Sequence, residues 1–179
     1  MSLEKRGYIG MEEKFTVQKL KEDVLFDFLL KKTFQSISWW SSLVLVIVVA
    51  IAGAVMCNIG KLDWSYYFIV LIAAVGLLGS IPFQTKVDAK RQAVNNSTYT
   101  KPMTYRFHKD TGISIQQGKE KSIFEWGQIT KVMESKKAIG FFCGRSRILI
   151  IPKENYAKHA QAIGKMMVDN LDAKVIRLK

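Results

Sequence analysis

The sequence has few of the side chains that usually carry chemistry. It contains only two histidines and two cysteines. His108 and His159 fall in different predicted elements, and Cys57 and Cys143 lie far apart, so neither a zinc-ligand spacing nor a disulfide framework is present. No glycine-rich phosphate loop and no nucleophile-elbow serine occurs. We therefore predict a protein that is not an enzyme, with no catalytic residue, no metal and no cofactor.

Charged side chains are absent from two long stretches. Residues 39–59 and 64–83 hold 21 and 20 residues without a charge. At a rise of about 1.5 Å per residue, each stretch would form a helix roughly 30 Å long, which matches the thickness of a bilayer core. Buried helices of a soluble core usually carry polar residues on one side, which these runs lack. The sequence therefore predicts two transmembrane helices joined by a tight loop at residues 60–63. The absence of ionisable groups inside them disfavours a coupled transporter.

Small residues recur at a spacing of four within both predicted spans. Ala50 and Ala54 lie on the first, and Gly76 and Ser80 lie on the second. Small side chains allow helices in a membrane to approach closely. The spacing fits packing inside the hairpin, and it equally fits packing between protomers.

Basic residues flank the two spans and dominate the C-terminal part of the chain. Lysines precede the first span and basic residues follow the second, so the positive-inside rule predicts that both termini are cytoplasmic. Residues 84–179 hold 19 Lys and Arg against 8 Asp and Glu, a net charge of +11. This excess fits attraction to anionic lipid, and it also fits ordinary solvated lysines. Nucleic acid is disfavoured as a partner because of the membrane tether and the lack of an aromatic RNA-binding motif.

The hydrophobic periodicity divides the chain into four parts. Residues 1–38 form a cytoplasmic arm with a strand and an amphipathic helix, residues 39–83 the hairpin, and residues 84–102 a basic connector. In residues 103–179, apolar side chains alternate with period two and short strands are separated by turns; an amphipathic helix follows at 153–171. The predicted fold is thus a membrane α-helical hairpin plus an α+β domain, an antiparallel barrel or sandwich closed by a C-terminal helix. Residues 14–34 either pack on that domain, which we favour, or lie on the membrane.

The order of these elements resembles a pleckstrin-homology (PH) domain, and five motifs give a closer match. They are Tyr105-Arg106-Phe107, Asp110-Thr111-Gly112-Ile113, Phe124-Glu125-Trp126, Glu134-Ser135-Lys136-Lys137 and Ile151-Pro152-Lys153. These motifs resemble the C-terminal domain of the bacterial YcxB-like family, whose members carry two spans ahead of such a domain. The resemblance implies a PH-like fold and a location in a bacterial cell membrane, but no reaction.

Four basic residues at predicted hairpin turns are the candidate binding site. They are Lys136, Lys137, Arg145 and Arg147. Two interpretations stay open: they share one rim that binds anionic lipid headgroups or a protein partner, or they are ordinary solvated loop charges. The alternative function is a structural or pore-type membrane subunit, in which the hairpin forms a homo-oligomer through Ala50, Ala54, Gly76 and Ser80.

Overall fold

The computed structural model describes residues 12–144 and 147–177. These residues form two compact units. Residues 12–28 and 92–177 make the first unit, and residues 29–91 make the second. The first unit is therefore assembled from two separate parts of the chain, with the second unit inserted between them.

The first sheet contains a strand from the N-terminal arm. Strand β1 (Glu12–Val17) pairs antiparallel with β2 (Met103–His108), and β3 (Gly112–Gln117) and β4 (Glu120–Glu125) follow in the order β1-β2-β3-β4. Phe15 lies opposite Tyr105 in this register. The strand predicted in the N-terminal arm thus lies at residues 12–17, and it belongs to the sheet domain.

The second sheet has the order β7-β6-β5-β8. Its strands are β5 (Ile129–Glu134), β6 (Ala138–Cys143), β7 (Arg147–Pro152) and β8 (Ile176–Arg177). The first three pair antiparallel, whereas the short β8 runs parallel to β5. The fold is therefore of the α+β class, with two mainly antiparallel sheets followed by helical segments.

The C-terminal helical region covers the core between the two sheets. It consists of α5 (Lys153–Tyr156), a 3-10 turn (Ala157–His159) and α6 (Ala160–Asn170), where a single helix was predicted. Of the predicted apolar stripe, Ile163 and Met167 are fully buried, and Met166 joins them. They pack with the inward-facing side chains of the sheets, which include Phe107, Ile113, Phe141 and Ile151.

Helix α1 (Glu22–Phe34) packs its apolar side on the outer face of the second sheet. Phe141 points into the core, so its neighbour Gly140 faces the opposite side of the sheet. A Cβ atom at Gly140 would collide with the ring of Phe28, which is fully buried. Leu25, one helical turn earlier, is also fully buried. The missing side chain at residue 140 thus makes room for Phe28, and the second sheet is covered on both faces.

The second unit is dominated by two long antiparallel helices. Helix α2 (Ile37–Asn58) begins after Ser36, whose hydroxyl accepts the backbone N–H of Ser38 at 3.2 Å. Helix α3 (Trp64–Asn95) begins after Asp63, whose carboxylate accepts the N–H of Ser65 at 2.7 Å. Between them Gly60 has a φ of 72°, which suits glycine in a tight turn. Helix α3 passes the predicted end of the span at residue 83 and ends at Asn95.

Most apolar side chains of this hairpin are exposed. Leu45, Ile51, Ile69, Ile72 and Leu77 are among the large ones with more than 60% of their surface accessible. In α2, Cys57 is the one buried residue. Core helices of a soluble protein would bury such side chains. Helices α2 and α3 are long and apolar enough to cross a membrane.

We expect Gly140→Ala to lower the free energy of unfolding of the first unit by about 1–3 kcal/mol, because the new methyl group overpacks against Phe28. The measurement is chemical denaturation of the full chain in detergent, followed by tryptophan fluorescence with Trp39, Trp40 and Trp64 replaced by Phe, so that the buried Trp126 is the reporter. Gly127→Ala is the control, since a Cβ atom there meets nothing within 4 Å. Adding Phe28→Leu should recover part of the Gly140→Ala loss, whereas equal effects of both glycine substitutions would contradict this packing.

Candidate functional site

The three basic candidates that the structure describes do not form one rim. Lys136 and Lys137 lie in the turn between β5 and β6, whereas Arg147 begins β7. In the β6–β7 pairing, Ala138 lies opposite Pro152 and Cys143 opposite Arg147, so the length of β6 separates the two lysines from Arg147. That length is about 17–20 Å. The expectation of a shared rim is therefore wrong for these three residues, because consecutive hairpins turn at opposite ends of their common strand. Arg145 lies outside the described residues.

Lys137 is engaged by α1. Its ammonium group forms an ion pair with Asp23, and its backbone N–H donates to the carboxylate of Asp27 at 2.9 Å. The hydrogen bond with Lys137 lowers the pKa of Asp23, and the same bond raises the pKa of Lys137. Both side chains remain solvent-exposed, so the pair is weak by itself. Lys137 thus serves as a docking contact for α1, while the adjacent Lys136 is exposed.

Acidic residues of the N-terminal segment offset part of the charge of the domain. Residues 12–28 hold five acidic side chains and three lysines. Besides the contacts of Asp23 and Asp27, Glu13 bonds to the imidazole of His159, and Glu12 lies 3.9 Å from Arg106. Counting charges over residues 84–179 alone missed this compensation, because the acidic partners precede the hairpin in the sequence.

Arg147 lines a cleft of about 330 Å³ between β4 and β7. Its guanidinium group lies over the ring of Phe124, with 5.8 Å to the ring centre. In the described part of the chain it has no carboxylate partner. Glu120 and Ser122 of β4 line the opposite side of the cleft. Arg147 thus lines this cleft, whereas Lys137 lines a separate cavity of about 300 Å³ together with Asp23 and Glu154.

A short helix closes one side of this cleft. Helix α4 (Ser97–Thr100) is capped by Asn96, whose side chain accepts the N–H of Thr98 at 2.9 Å. The amide of Gln117 on β3 donates to the carbonyl of Ser97 at 2.9 Å and so ties α4 to the sheet. Tyr99 is mostly buried here, which raises the pKa of its hydroxyl. No pattern in the sequence indicates this role of Gln117.

A second cleft lies beside the start of α1. It has a volume of about 590 Å³ and is lined by residues 17–22, 93–94 and 154–155. Its charged side chains are Lys19, Lys21, Glu22 and Glu154, and Lys21 pairs with Glu154 at 3.2 Å. Because two positive charges face two negative ones, this cleft offers no net charge to an anion.

The residues with reactive side chains are held in structural contacts. His108 lies 3.3 Å from the hydroxyl of Ser114, and the indole of Trp126 donates to the carbonyl of Lys109 at 2.9 Å. Burial raises the pKa of the Cys143 thiol to about 11, so little thiolate exists at neutral pH. Within residues 12–144 and 147–177, no three His, Cys, Asp or Glu side chains are grouped so that they could hold a metal ion.

The sheets and turns just described coincide with a family match. A model of the YcxB-like protein family matches residues 109–155. The match confirms the resemblance seen in the motifs, and it runs from the end of β2 to α5. No curated protein and no solved structure matches the chain. We call residues 109–155 the YcxB-like segment; it contains Arg147 and β4, and therefore both sides of the cleft.

Outside the YcxB-like segment, the hairpin candidates fall on two different faces. The hydroxyl of Tyr67 donates to the carbonyl of Ala50 at 3.1 Å, and a Cβ atom at Gly53 would lie 2.6 Å from the ring of Tyr67. Ala54 is half-buried next to this contact. Gly76, in contrast, is exposed and has open space around it. Ala50 and Ala54 therefore belong to the face between the helices. Gly53 makes the closest approach to Tyr67 on this face, and a pattern of small residues four apart does not include it.

The fourth hairpin candidate, Ser80, is half-buried on α3. Its hydroxyl donates to the carbonyl of Leu77 at 2.7 Å, within the same helix. Ser80 thus satisfies its own polar group and needs no partner in a second helix.

We expect Lys137→Gln to loosen α1 and lower the melting temperature slightly, while Lys136→Gln leaves it unchanged. The difference between wild type and K137Q should be present at neutral pH. It should shrink below pH 3.8, as the pH falls through the lowered pKa of Asp23, and above pH 10.5, as the pH rises through the raised pKa of Lys137. Thermal unfolding across pH in detergent measures both limbs. A melting-temperature difference that does not change with pH, or an equal effect of K136Q, would refute this assignment.

Proposed function

We propose that this protein is a non-enzymatic membrane protein, whose hairpin of two spans anchors a PH-like domain that binds a protein partner, with anionic lipid at the hairpin base. One observation carries the proposal. The hairpin is inserted between β1 and β2, so the sheet domain is joined to it by two connections and cannot fold from one continuous segment. A domain held in this way is suited to present a binding surface beside a membrane.

The strand order supports the PH-like assignment. Four strands form the first antiparallel sheet, the next three form the second, and a helical region follows. This is the order of a bent antiparallel barrel with a C-terminal helix, and the family match covers β3 to β7. In this proposal β4 and β7 face each other across an open corner.

The charges of the second unit support an orientation. Lys31 and Lys32 precede α2, and Lys86, Lys90 and Arg91 lie in the part of α3 that follows the predicted span, with Asp88 as the acidic residue among them. Lys32 and Ile81 line the same small cavity, which agrees with the two chain ends meeting at one end of the hairpin. The connecting turn holds Lys61 and Asp63, which balance. We infer that both termini lie in the cytoplasm of a bacterial cell and that the turn lies outside.

The same basic residues form a site that attracts anionic lipid headgroups. Each basic residue close to an anionic leaflet contributes about 1 kcal/mol of attraction. We now assign the headgroup contact to the base of the helical hairpin, which holds basic residues 31, 32, 86, 90 and 91. The turns of the β-sheet are less suited to it, because Lys137 is engaged with α1 and Lys136 lies far from Arg147.

We expect a variant with Gln at residues 31, 32, 86, 90 and 91 to retain less phosphatidylglycerol than wild type, because the attraction between these charges and the headgroups is removed. The measurement is mass spectrometry of lipid bound to the full-length protein purified in mild detergent. The matched control has five exposed lysines of the domain replaced by Gln: Lys119, Lys121, Lys136, Lys158 and Lys165. Equal loss in both variants, or none in either, would defeat the lipid part of the proposal.

The full chain is needed for this experiment. Residues 103–179 alone would lack β1 of the first sheet, and they would also lack α1, which covers Gly140 on the second. Such a fragment exposes both an unpaired strand edge and an apolar sheet face, which favours aggregation.

The second candidate function is a structural or pore-type subunit that oligomerises through the hairpin. The outward position of Gly76 and Gly79 favours it, since an added Cβ atom at either meets nothing within 4 Å. Such a surface on a membrane helix lets a second helix approach closely.

For this candidate we expect cross-linking in native membranes to trap a defined oligomer of wild type that Gly76→Leu abolishes, because the added side chain holds a second helix away. Val75→Leu is the control, since Val75 is 57% exposed at the neighbouring position of α3. A monomer in wild type, or an oligomer that survives Gly76→Leu, removes this candidate.

A further inference from the structure

One side of each sheet is met by another part of the chain. The turn before α6 lies against β1, where His159 stacks on Phe15 at 5.1 Å and bonds to Glu13. The far edge of β5 is taken by the segment that ends in β8, and the N–H of Val132 donates to the carbonyl of Val175 at 2.9 Å. Proteins usually protect sheet edges in such ways, because unpaired backbone groups invite pairing with another chain.

The other two edges, those of β4 and β7, face the cleft. Among the described residues β4 pairs only with β3, and β7 pairs only with β6. Residues of both strands line the same cleft of about 330 Å³. Helix α4 and Gln117 hold one side of it, so the strands do not close directly on each other.

The register shows which backbone groups of β7 are open. The N–H of Lys153 donates to the carbonyl of Lys137 at 2.8 Å, which makes Ala138 and Pro152 a non-hydrogen-bonded pair. Pairs alternate along an antiparallel ladder, so Ile150 and Ile148 also point their N–H and C=O groups away from β6. The carbonyl of Ile150 accepts the hydroxyl of Tyr105 at 3.3 Å. Within the described residues, the N–H and C=O of Ile148, next to Arg147, are therefore both open, whereas Ile150 keeps only its N–H open.

The side chains around this edge favour an acidic occupant. Arg147 has no carboxylate partner in the described part of the chain, and its guanidinium group is suited to bind a carboxylate with two parallel hydrogen bonds. The charged side chains that line the cleft are Arg147 and Glu120, and Glu120 lies on β4 between Lys119 and Lys121, which do not line it. Met103, Ile115 and Leu149 supply an apolar floor for alternate side chains of an extended strand.

We propose that an extended acidic segment of a partner protein docks in this cleft by strand addition. Its main chain pairs with the backbone of Ile148 at the edge of β7, and one of its carboxylates binds Arg147. This inference rests on the proposed binding function and specifies the class of partner: a β-forming acidic peptide, recognised through backbone hydrogen bonds and one ion pair.

The test uses a displayed library of random short peptides, selected on the full-length protein in nanodiscs. We expect the enriched sequences to alternate β-branched and polar residues and to carry Asp or Glu at one fixed position. A synthetic peptide of the enriched sequence should bind Arg147→Glu about tenfold or more weakly, because an attractive charged hydrogen bond becomes a repulsion. Lys136→Glu, which reverses an exposed charge at the other end of β6, is the control and should leave affinity unchanged.

A second pair of variants separates strand addition from simple charge attraction. Ile148→Pro removes an N–H that faces the cleft and not β6, so the sheet keeps its ladder while the peptide loses a bond. Ile148→Val keeps the N–H and is its control, and thermal unfolding checks that both variants are folded. Weaker binding by Ile148→Pro alone supports the proposal.

Three results would overturn the proposal. They are an absence of enriched peptides, enriched peptides without an acidic residue, and equal peptide affinity of Ile148→Pro and Ile148→Val. Phosphatidylglycerol retention is measured on the same preparations and depends on residues 31, 32, 86, 90 and 91. If the variant with Gln at these five residues retains as much phosphatidylglycerol as wild type, the lipid part of the proposed function fails, whatever the result at the cleft.

Discussion

The pairing of β1 with β2 is the constraint on which the rest of the structure depends. Val17 and Met103 are partners across this ladder, with the whole hairpin between them in sequence. Closing a flexible loop of this length costs about 4 kcal/mol by chain-entropy arguments. A hairpin of antiparallel helices brings its own two ends together, so it shortens the effective loop. The hairpin thus lowers the cost of the strand pairing that encloses it.

A second contact holds α1, the helix after β1, in place. Helix α1 covers the outer face of the second sheet through Phe28 above Gly140, and its acidic residues hold Lys137. Residues 12–28 therefore contribute a strand to one sheet and a cover to the other. The apolar contact supplies most of the stabilisation, because it is fully buried, whereas the ion pair is exposed to solvent.

Local sequence patterns predicted the helices and strands of this fold. They did not show which strands pair with one another. The uncharged runs predicted α2 and α3, period-two alternation predicted β2 to β7, and the helical stripe predicted the buried face of α6. The same alternation in β1 does not say which strand it pairs with. The shared rim of Lys136, Lys137 and Arg147 failed because rim membership depends on register, and hairpin turns alternate between the two ends of a sheet. The cleft lies where the edges of β4 and β7 do not pair with each other. No local sequence pattern indicates that two strand edges stay unpaired.

The insertion of the hairpin also limits how this architecture can change over generations. A recombination event between α3 and β2 would deliver a tail with three strands of its first sheet and none of α1. The N-terminal part left behind would keep β1 without β2, the strand with which it pairs. The helical hairpin and the sheet domain must therefore be exchanged together, although they form two compact units.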